Sequence, residues 1–166
     1  MERMLITGAS RGIGRAIAMR LADHGRALLL HGRDAGALAG VAVEVAAKGA
    51  VARPVVADLR SEEGLAALVA AGSEGPLAAL IHNAGIGVVK PVARISVAEW
   101  QRGLDIMVTA PVLLTRDLLP SLGAGSSIVH VLSVAARRGF PGWGAYCAAK
   151  FALEGFSQCL REELRS

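Results

Sequence analysis

Short apolar runs alternate with longer amphipathic stretches along the chain. After the first run, Ile13, Ile17 and Leu21 recur at helical spacing and fall on one helix face. This alternation is typical of a parallel β-sheet whose strands are connected by crossover helices. The pattern predicts strands at residues 3–7, 27–32, 51–57, 78–82 and 127–132.

Capping residues, glycines and a proline mark the helix boundaries. Ser61 is a suitable N-cap, and Ser96 with Glu99 has the spacing of a capping box. Pro111 lies inside the long helix that follows the capping box and is expected to kink it. The predicted helices cover residues 12–24, 34–48, 61–72, 96–119 and 146–164.

The order of these elements predicts a doubly wound α/β fold of Rossmann type. Right-handed crossovers and a switch point after the first strand give the sheet order 3-2-1-4-5, in a single domain over residues 1–166. Ligands of such sheets bind beyond the carboxyl ends of the strands. The glycine-rich turn at residues 8–14, Asp58, Asn83 and Ser133 each follow a different strand, so we expect them at one edge.

Composition places the chain among cytoplasmic globular proteins. The hydrophobic fraction of 53% contains only 4% aromatic residues, which predicts a core of small aliphatic side chains. No apolar run reaches the ~18 residues that span a bilayer, and no leader peptide precedes the first strand. Cys147 and Cys159 lie about 18 Å apart on one predicted helix, too far for a disulfide, and suit a reducing compartment. No cluster of side chains suggests a metal site.

The net charge of +4 does not point to nucleic acid, because the arginines are scattered and no basic stripe carries interleaved aromatic residues. The positive charge instead suits an anionic cofactor. The densest basic doublet, Arg137-Arg138, is interpreted as part of a solvated loop in preference to a substrate contact.

The turn after the first strand has the composition of a phosphate-binding loop. Residues 7–14 read Thr-Gly-Ala-Ser-Arg-Gly-Ile-Gly, and their glycines permit a tight turn, close approach of a ligand and close helix packing. The following helix N-terminus offers N–H groups to phosphate. An ordinary strand–turn–helix joint is the alternative, but the position after the first strand favours nucleotide binding.

The end of the second strand favours NADP(H) over NAD(H). NAD sites usually carry an acid here, whereas this chain reads Leu-His-Gly-Arg at residues 30–33, with no acid before Asp34. Arg33 and Arg11 are suited to pair with a 2′-phosphate through charge-assisted hydrogen bonds.

Three polar residues near the last strand and helix predict hydride-transfer chemistry. Tyr146, the only tyrosine, lies four residues before Lys150 on one helix face, and a nearby cation lowers a tyrosine pKa from its usual value of about 10. Ser133 is suited to donate a hydrogen bond to a substrate oxygen. We therefore expect Tyr146 to act as acid and base on a small carbonyl or alcohol substrate. A core tyrosine beside a snorkelling lysine is the alternative.

These motifs resemble those of the short-chain dehydrogenase/reductase family over essentially the whole chain. The glycine-rich turn resembles its cofactor loop, Asn83-Ala84-Gly85 its motif after the fourth strand, and Ser133, Tyr146 and Lys150 its active-site residues. The resemblance implies that Lys150 also holds the nicotinamide ribose. The residues expected to hold NADP(H) are Gly8, Ser10, Arg11, Gly12, Ile13, Gly14, Arg33, Asp58, Leu59, Asn83, Ala84, Gly85, Tyr146 and Lys150.

Three features depart from the family pattern. His82 replaces an asparagine and is interpreted as a tolerated local variant. Met107 replaces an asparagine that, in the family, holds a water linking the lysine to solvent. Methionine cannot take over that role, so a slow turnover is expected, which Met107→Asn would raise. The chain also ends near the tyrosine helix, before the family's last strands and lid, and leaves strand five as an exposed edge.

Two alternatives remain open beside the reductase interpretation. One is a non-catalytic dinucleotide-binding sensor or partner subunit, and the other is a structural fragment that only self-associates. The helices at residues 96–119 and 146–164 are rich in apolar residues and correspond to the family's dimer surface, so a homodimer or homotetramer is expected. Phe140 and Trp143 border the site and are candidates either to line it or to pack beside it.

Overall fold

The computed structural model describes residues 1–165. Its five strands are all parallel and form one sheet in the order β3-β2-β1-β4-β5, which confirms the predicted order. In a doubly wound sheet of this kind, the order in which strands are added reverses between β1 and β4. The ligand crevice lies at that switch point. The strands are β1 (Glu2–Ile6), β2 (Arg26–Gly32), β3 (Val51–Val56), β4 (Leu77–His82) and β5 (Leu122–His130).

The helices cover both faces of the sheet. Three of the predicted helix starts are confirmed by side-chain caps, since Asp34 accepts from Ala37 N–H, Ser61 accepts from Gly64 N–H, and Ser96 forms the predicted capping box. The helices are α1 (Gly12–Leu21), α2 (Ala35–Ala46), α3 (Glu62–Gly72), α4 (Val97–Leu104), α5 (Ala110–Leu118) and α6 (Gly144–Glu163).

Two hydrophobic clusters hold these layers together. One joins α1 and α2 to the first face of the sheet, and the other joins α3, α5 and α6 to the opposite face. Burial of leucine side chains such as Leu38 on the first face and Leu114 on the second supplies about 1.5–3 kcal/mol each. The layers therefore fix the loops at the carboxyl edge from both sides.

The long helix predicted over residues 96–119 is interrupted by a π-helical turn at Asp105–Thr109. Pro111 follows directly, near the start of α5. In a regular α-helix its ring would clash with the carbonyl of residue 107, and a wider turn relieves this contact. The predicted interruption is present, in the form of a wide turn.

Strand β5 differs from its prediction at both ends. It begins at Leu122, five residues earlier than expected, because an irregularity in its pairing with β4 shifts the register between Leu77 and Ala79. It ends at His130 and, among the described strands, pairs with β4 alone. The prediction of an exposed edge strand is confirmed, and Val129 is one of its exposed apolar residues.

Helix α1 packs against the core through two of its three predicted apolar positions, Ile17 and Leu21, which are partly buried. Gly14 and Ala18 are its buried residues, whereas Ile13 is 63% exposed.

Within residues 1–165, no helix has the length and apolar character needed to cross a membrane. Cys147 and Cys159 are both free thiols.

Candidate active site

The turn between β1 and α1 requires glycine at three positions. Gly8 and Gly12 have φ of 68° and 56°, in the left-handed region that side chains disfavour. A Cβ atom on Gly14 would lie 2.1 Å from the Gly8 carbonyl oxygen. The tight turn and the close helix packing predicted from the sequence are therefore present.

Asn83, which directly follows β4, holds this turn in place through hydrogen bonds. Its side-chain amide donates to the carbonyl oxygens of Thr7 and Gly8, both at 3.0 Å. In return, Thr7 Oγ1 accepts from the N–H groups of Asn83 at 3.0 Å and Ala84 at 3.1 Å. The side chain of Asn83 thus shapes the cofactor loop through hydrogen bonds within the protein.

His31, which sequence reasoning did not select, also contacts the turn. Its Nδ1 lies 3.2 Å from Gly8 N, and its Nε2 lies 3.1 Å from Ala57 O. Burial lowers the pKa of His31 below its ordinary value. A polar residue in an otherwise apolar strand, just before the predicted cofactor arginine, was the signal that could have identified it.

A cavity of about 310 Å³ opens where these elements meet, at the carboxyl edge of the sheet. Of the predicted cofactor residues, Gly14 instead packs beneath the turn, and Tyr146 and Lys150 line a neighbouring cavity. His31, Gly32, Ile86 and Ile106 also line the first cavity. The predicted residues that line it are Gly8, Ser10, Arg11, Gly12, Ile13, Arg33, Asp58, Leu59, Asn83, Ala84 and Gly85.

Some charged side chains around this cavity form ion pairs within the protein, and others do not. Asp58 is paired with Arg60, whose Nη2 lies 2.6 Å from Asp58 Oδ2, and this bond lowers the Asp58 pKa to about 2. Arg60 was not predicted. Arg11 and Arg33 are exposed and make no ion pair with any residue in the described part of the chain. Their guanidinium groups are therefore available to an anion.

A second cavity of about 350 Å³ adjoins the first and shares Ile13, Asn83, Gly85 and Ile86 with it. Tyr146 and Lys150 both line this second cavity, as the sequence predicts for neighbours on one helix face. The rest of its wall is mostly apolar and includes Gly87, Val89, Val131, Leu132 and Trp143.

Lys150 is held in a buried position beside Tyr146. The ammonium Nζ lies 5.8 Å from the centroid of the Tyr146 ring and donates to the Val131 carbonyl at 2.8 Å. Lys150 is only 4% exposed, and burial lowers its pKa. Trp143 meets the tyrosine ring edge-on, with 5.6 Å between the ring centroids. The tyrosine ring is thus fixed on two sides.

Ser133 is not brought into the second cavity. Its Oγ accepts from Ala135 N–H at 3.2 Å and caps a short 3₁₀ turn, Val134–Ala136. Ser133 follows Leu132, which does line the cavity, but it is absent from the cavity wall itself. Its hydroxyl proton is not engaged by the bond to Ala135, because oxygen is the acceptor there.

The two residues that depart from the family pattern lie in the interior. Met107 is buried in the π-helical turn, and its Sδ would lie 3.5 Å from a Cβ on Gly85. His82 is buried, its Nε2 lies 2.9 Å from Thr115 Oγ1, and its ring stacks on His130. His82 lines neither cavity, as expected of a local variant.

Arg137 and Arg138 are exposed and line neither cavity. The Arg138 guanidinium lies over the Phe140 ring, 4.6 Å from its centroid. Phe140 in turn packs against Trp143. Of the two aromatic candidates, Trp143 therefore lines the second cavity and Phe140 packs behind it.

The family model for short chain dehydrogenases matches residues 2–166. Sulfoacetaldehyde reductase 2 of Chromohalobacter salexigens is 34% identical over an alignment that covers 98% of this chain and 66% of the relative. Ketoacyl reductase HetN of Nostoc sp. is 36% identical, with 98% and 58% covered. The chain thus spans about two thirds of the length of such relatives, or somewhat less.

Solved structures agree with this match. A metagenomic short-chain oxidoreductase in complex with NADP superposes with a TM-score of 0.92 at 33% identity, covering 99% of this chain and 76% of that one. A short-chain dehydrogenase from Sphingobium yanoikuyae in complex with NADPH also gives 0.92, at 30% identity, covering 99% and 66%.

Proposed function

The chain belongs to the short-chain dehydrogenase family, and from that premise we propose that it forms the single dinucleotide-binding domain of an NADP(H)-dependent oxidoreductase. The reaction is hydride transfer between nicotinamide and a small carbonyl or alcohol substrate. The observation that carries this proposal is the pair of adjoining cavities, one lined by the glycine-rich turn and the other by Tyr146 and Lys150.

The residues of the first cavity fit a dinucleotide pyrophosphate. Helices α2, α3 and α4 have side-chain caps, but α1 begins after Arg11 with no side-chain cap. Its first N–H groups and the left-handed turn before them are therefore free to receive a phosphate. Asn83, Ala84 and Gly85 complete the wall beside this turn.

Three observations support NADP(H) over NAD(H). Arg11 and Arg33 line the cavity with uncommitted guanidinium groups, which suit a 2′-phosphate. Asp34, the nearest acid after β2, accepts at 2.9 Å from Ala37 N–H as the N-cap of α2 and is thereby engaged away from a ribose hydroxyl. Five of the solved relatives contain NADP or NADPH.

In this proposal the bound nicotinamide supplies or accepts the hydride, and the protein handles the proton. Tyr146 gives its phenolic proton to the carbonyl oxygen during reduction and removes it during oxidation. Lys150 stabilises negative charge on the phenol oxygen and holds the nicotinamide ribose. Ser133 would donate its free hydroxyl proton to the substrate oxygen, and Asp58 and Leu59, which line the first cavity, would contact the adenine.

The catalytic role of Tyr146 is tested with Tyr146→Phe, which keeps the ring that packs on Trp143 and removes only the hydroxyl. We expect the variant to bind NADPH as the parent does and to lose roughly 10²–10⁴-fold in turnover with a panel of simple ketones and aldehydes. Unchanged turnover would contradict the role of Tyr146. Binding without turnover in the parent protein would favour the non-catalytic sensor, which the buried Met107 supports.

We also propose that the chain self-associates, as a homodimer or homotetramer, and that it is cytoplasmic. Val97 is 85% exposed on α4, and Trp100 and Phe151 are exposed on α4 and α6. Exposed apolar side chains on neighbouring helices suit a protein interface. Sedimentation at micromolar concentration is expected to give a species of at least twice the chain mass, and a monomer alone would contradict the proposal.

A further inference from the structure

His31 occupies an unusual place for a polar side chain. It lies near the carboxyl end of β2, is 3% exposed, and forms part of the wall of the first cavity. Through its ring it joins the first residue of the glycine-rich turn, Gly8, to the residue after β3, Ala57. Its backbone carbonyl also accepts from Ala9 N–H at 2.7 Å.

These partners define the protonation state of the ring. A backbone N–H can only donate, so the Nδ1 that faces Gly8 must carry a lone pair. Nε2 then carries the proton and donates to the Ala57 carbonyl. The ring is neutral, and both of its nitrogens are used.

Gly8 is thereby held at both ends of the residue. Its N–H donates to His31, and its carbonyl accepts from Asn83. Gly8 needs these contacts because glycine has no side chain and adopts left-handed and other backbone conformations about equally readily. The turn that faces the cavity therefore depends on the neutral ring of His31.

We propose that His31 is a positioning residue for the cofactor, since its neutral ring fixes Gly8 for pyrophosphate binding and its protonation releases the turn. A protonated ring would place an N–H on Nδ1 directly against the N–H of Gly8, so the hydrogen bond would be replaced by a repulsion between two donors. This inference rests on the proposed binding of NADP(H) in the first cavity.

The surroundings of the ring determine where protonation takes place. Burial lowers the pKa of His31 from 6.5, and the bond to Ala57 opposes that shift. Arg33 lowers the pKa further and Asp58 raises it; these are the charged groups that act on the ring. The ring therefore stays neutral at pH 7 and takes up a proton only in the acid range below its ordinary pKa. Asp58, with a pKa of about 2, remains ionised throughout that range.

The test compares NADP⁺ dissociation constants of the wild type and His31→Asn by calorimetry between about pH 5 and pH 8. Asparagine offers an acceptor to Gly8 N–H but does not titrate. The 2′-phosphate, with a pKa of about 6, titrates equally with both proteins, so the ratio of the two constants isolates His31. We expect that ratio, wild type over variant, to rise about tenfold from pH 8 to pH 5, the equivalent of one lost hydrogen bond.

Two further variants complete the comparison. His31→Leu removes the acceptor and is expected to bind NADP⁺ about tenfold more weakly than His31→Asn at every pH while the protein still unfolds cooperatively. His24→Asn changes an exposed histidine in the loop before β2 and is expected to keep the wild-type profile. A constant ratio of wild type to His31→Asn would overturn the role of His31 and leave the proposed function intact. Failure of the wild type to bind NADP⁺ at pH 8 would overturn both.

Discussion

At the scale of single residues, the room available for a Cβ atom determines where glycine is required. Gly14 and Gly40 are both helical glycines, but a Cβ on Gly14 would collide with the Gly8 carbonyl, whereas a Cβ on Gly40 meets nothing within 4 Å. The same residue type is therefore required by the cofactor turn at one position and only tolerated on the exposed surface of α2 at the other.

We predict opposite effects for the same substitution at these two positions. Gly14→Ala is expected to lower the free energy of unfolding by about 1–3 kcal/mol and to abolish NADP⁺ binding, because the turn must move. Gly40→Ala is expected to raise the free energy of unfolding by about 0.5–1 kcal/mol, since alanine favours the helix. Urea denaturation and cofactor titration measure both effects. Equal behaviour of the two variants would contradict this explanation.

The sequence identified most residues of the first cavity because they belong to short motifs that follow strand ends. His31 and Arg60 were not predicted, because their roles depend on partners that only the tertiary structure brings close. The Ser133 hydroxyl caps a 3₁₀ turn as an acceptor and keeps its proton free, so its predicted role as a hydrogen-bond donor to the substrate stays a prediction. Met107→Asn, predicted from the family pattern to raise turnover, remains a prediction.

At the scale of elements, strands β4 and β5 end on a stacked pair of histidines, of which His82 is buried and His130 is partly buried. His82 and His130 are partners in the strand register, and their rings stack with 5.0 Å between centroids. Burial lowers the pKa of His82 to about 3, with a further lowering from His130. Burial also lowers the pKa of His130 to about 4, where Lys150 adds to the effect and Glu154 opposes it. Both rings are neutral at pH 7.

We predict that this pair makes the fold sensitive to acid. The folded-state pKa values lie below the unfolded value of about 6.5, so stability is complete above that pH and is lost as pH falls toward 4. His130→Phe keeps a ring between His82 and Phe156 but removes one titrating group. Its melting temperature is expected to fall less steeply than that of the wild type below about pH 6.5.

The exposed His24 provides the matched control. His24→Asn should reproduce the wild-type dependence of melting temperature on pH, because His24 is exposed and is not part of the histidine pair. Identical slopes for His130→Phe and the wild type would show that the histidine pair does not govern acid stability.

Element boundaries were predicted well where a local signal exists. Ser61 and Ser96 cap their helices as expected, because capping depends on residues three positions apart. The π-helical turn at Asp105–Thr109 and the early start of β5 have no such signal. They arise from Pro111 packing within a helix and from the pairing of β5 with β4.

At the scale of the whole molecule, connectivity places the chemistry. The sheet order was predictable because right-handed crossovers leave few arrangements for an alternating α/β pattern. That order brings the turn after β1 and the loops after β3 and β4 around one cavity, and it brings α6 to the neighbouring cavity.

The most direct test of this function is a titration of the wild-type chain with NADPH and with NADH, followed by fluorescence of the reduced cofactor. Because Arg11 and Arg33 line the cavity without ion pairs, NADPH is expected to bind at least about tenfold more tightly than NADH. Arg33→Ala should remove most of that difference. Failure to bind either cofactor, or equal affinity for both, would contradict an NADP(H) site at the carboxyl edge of this sheet.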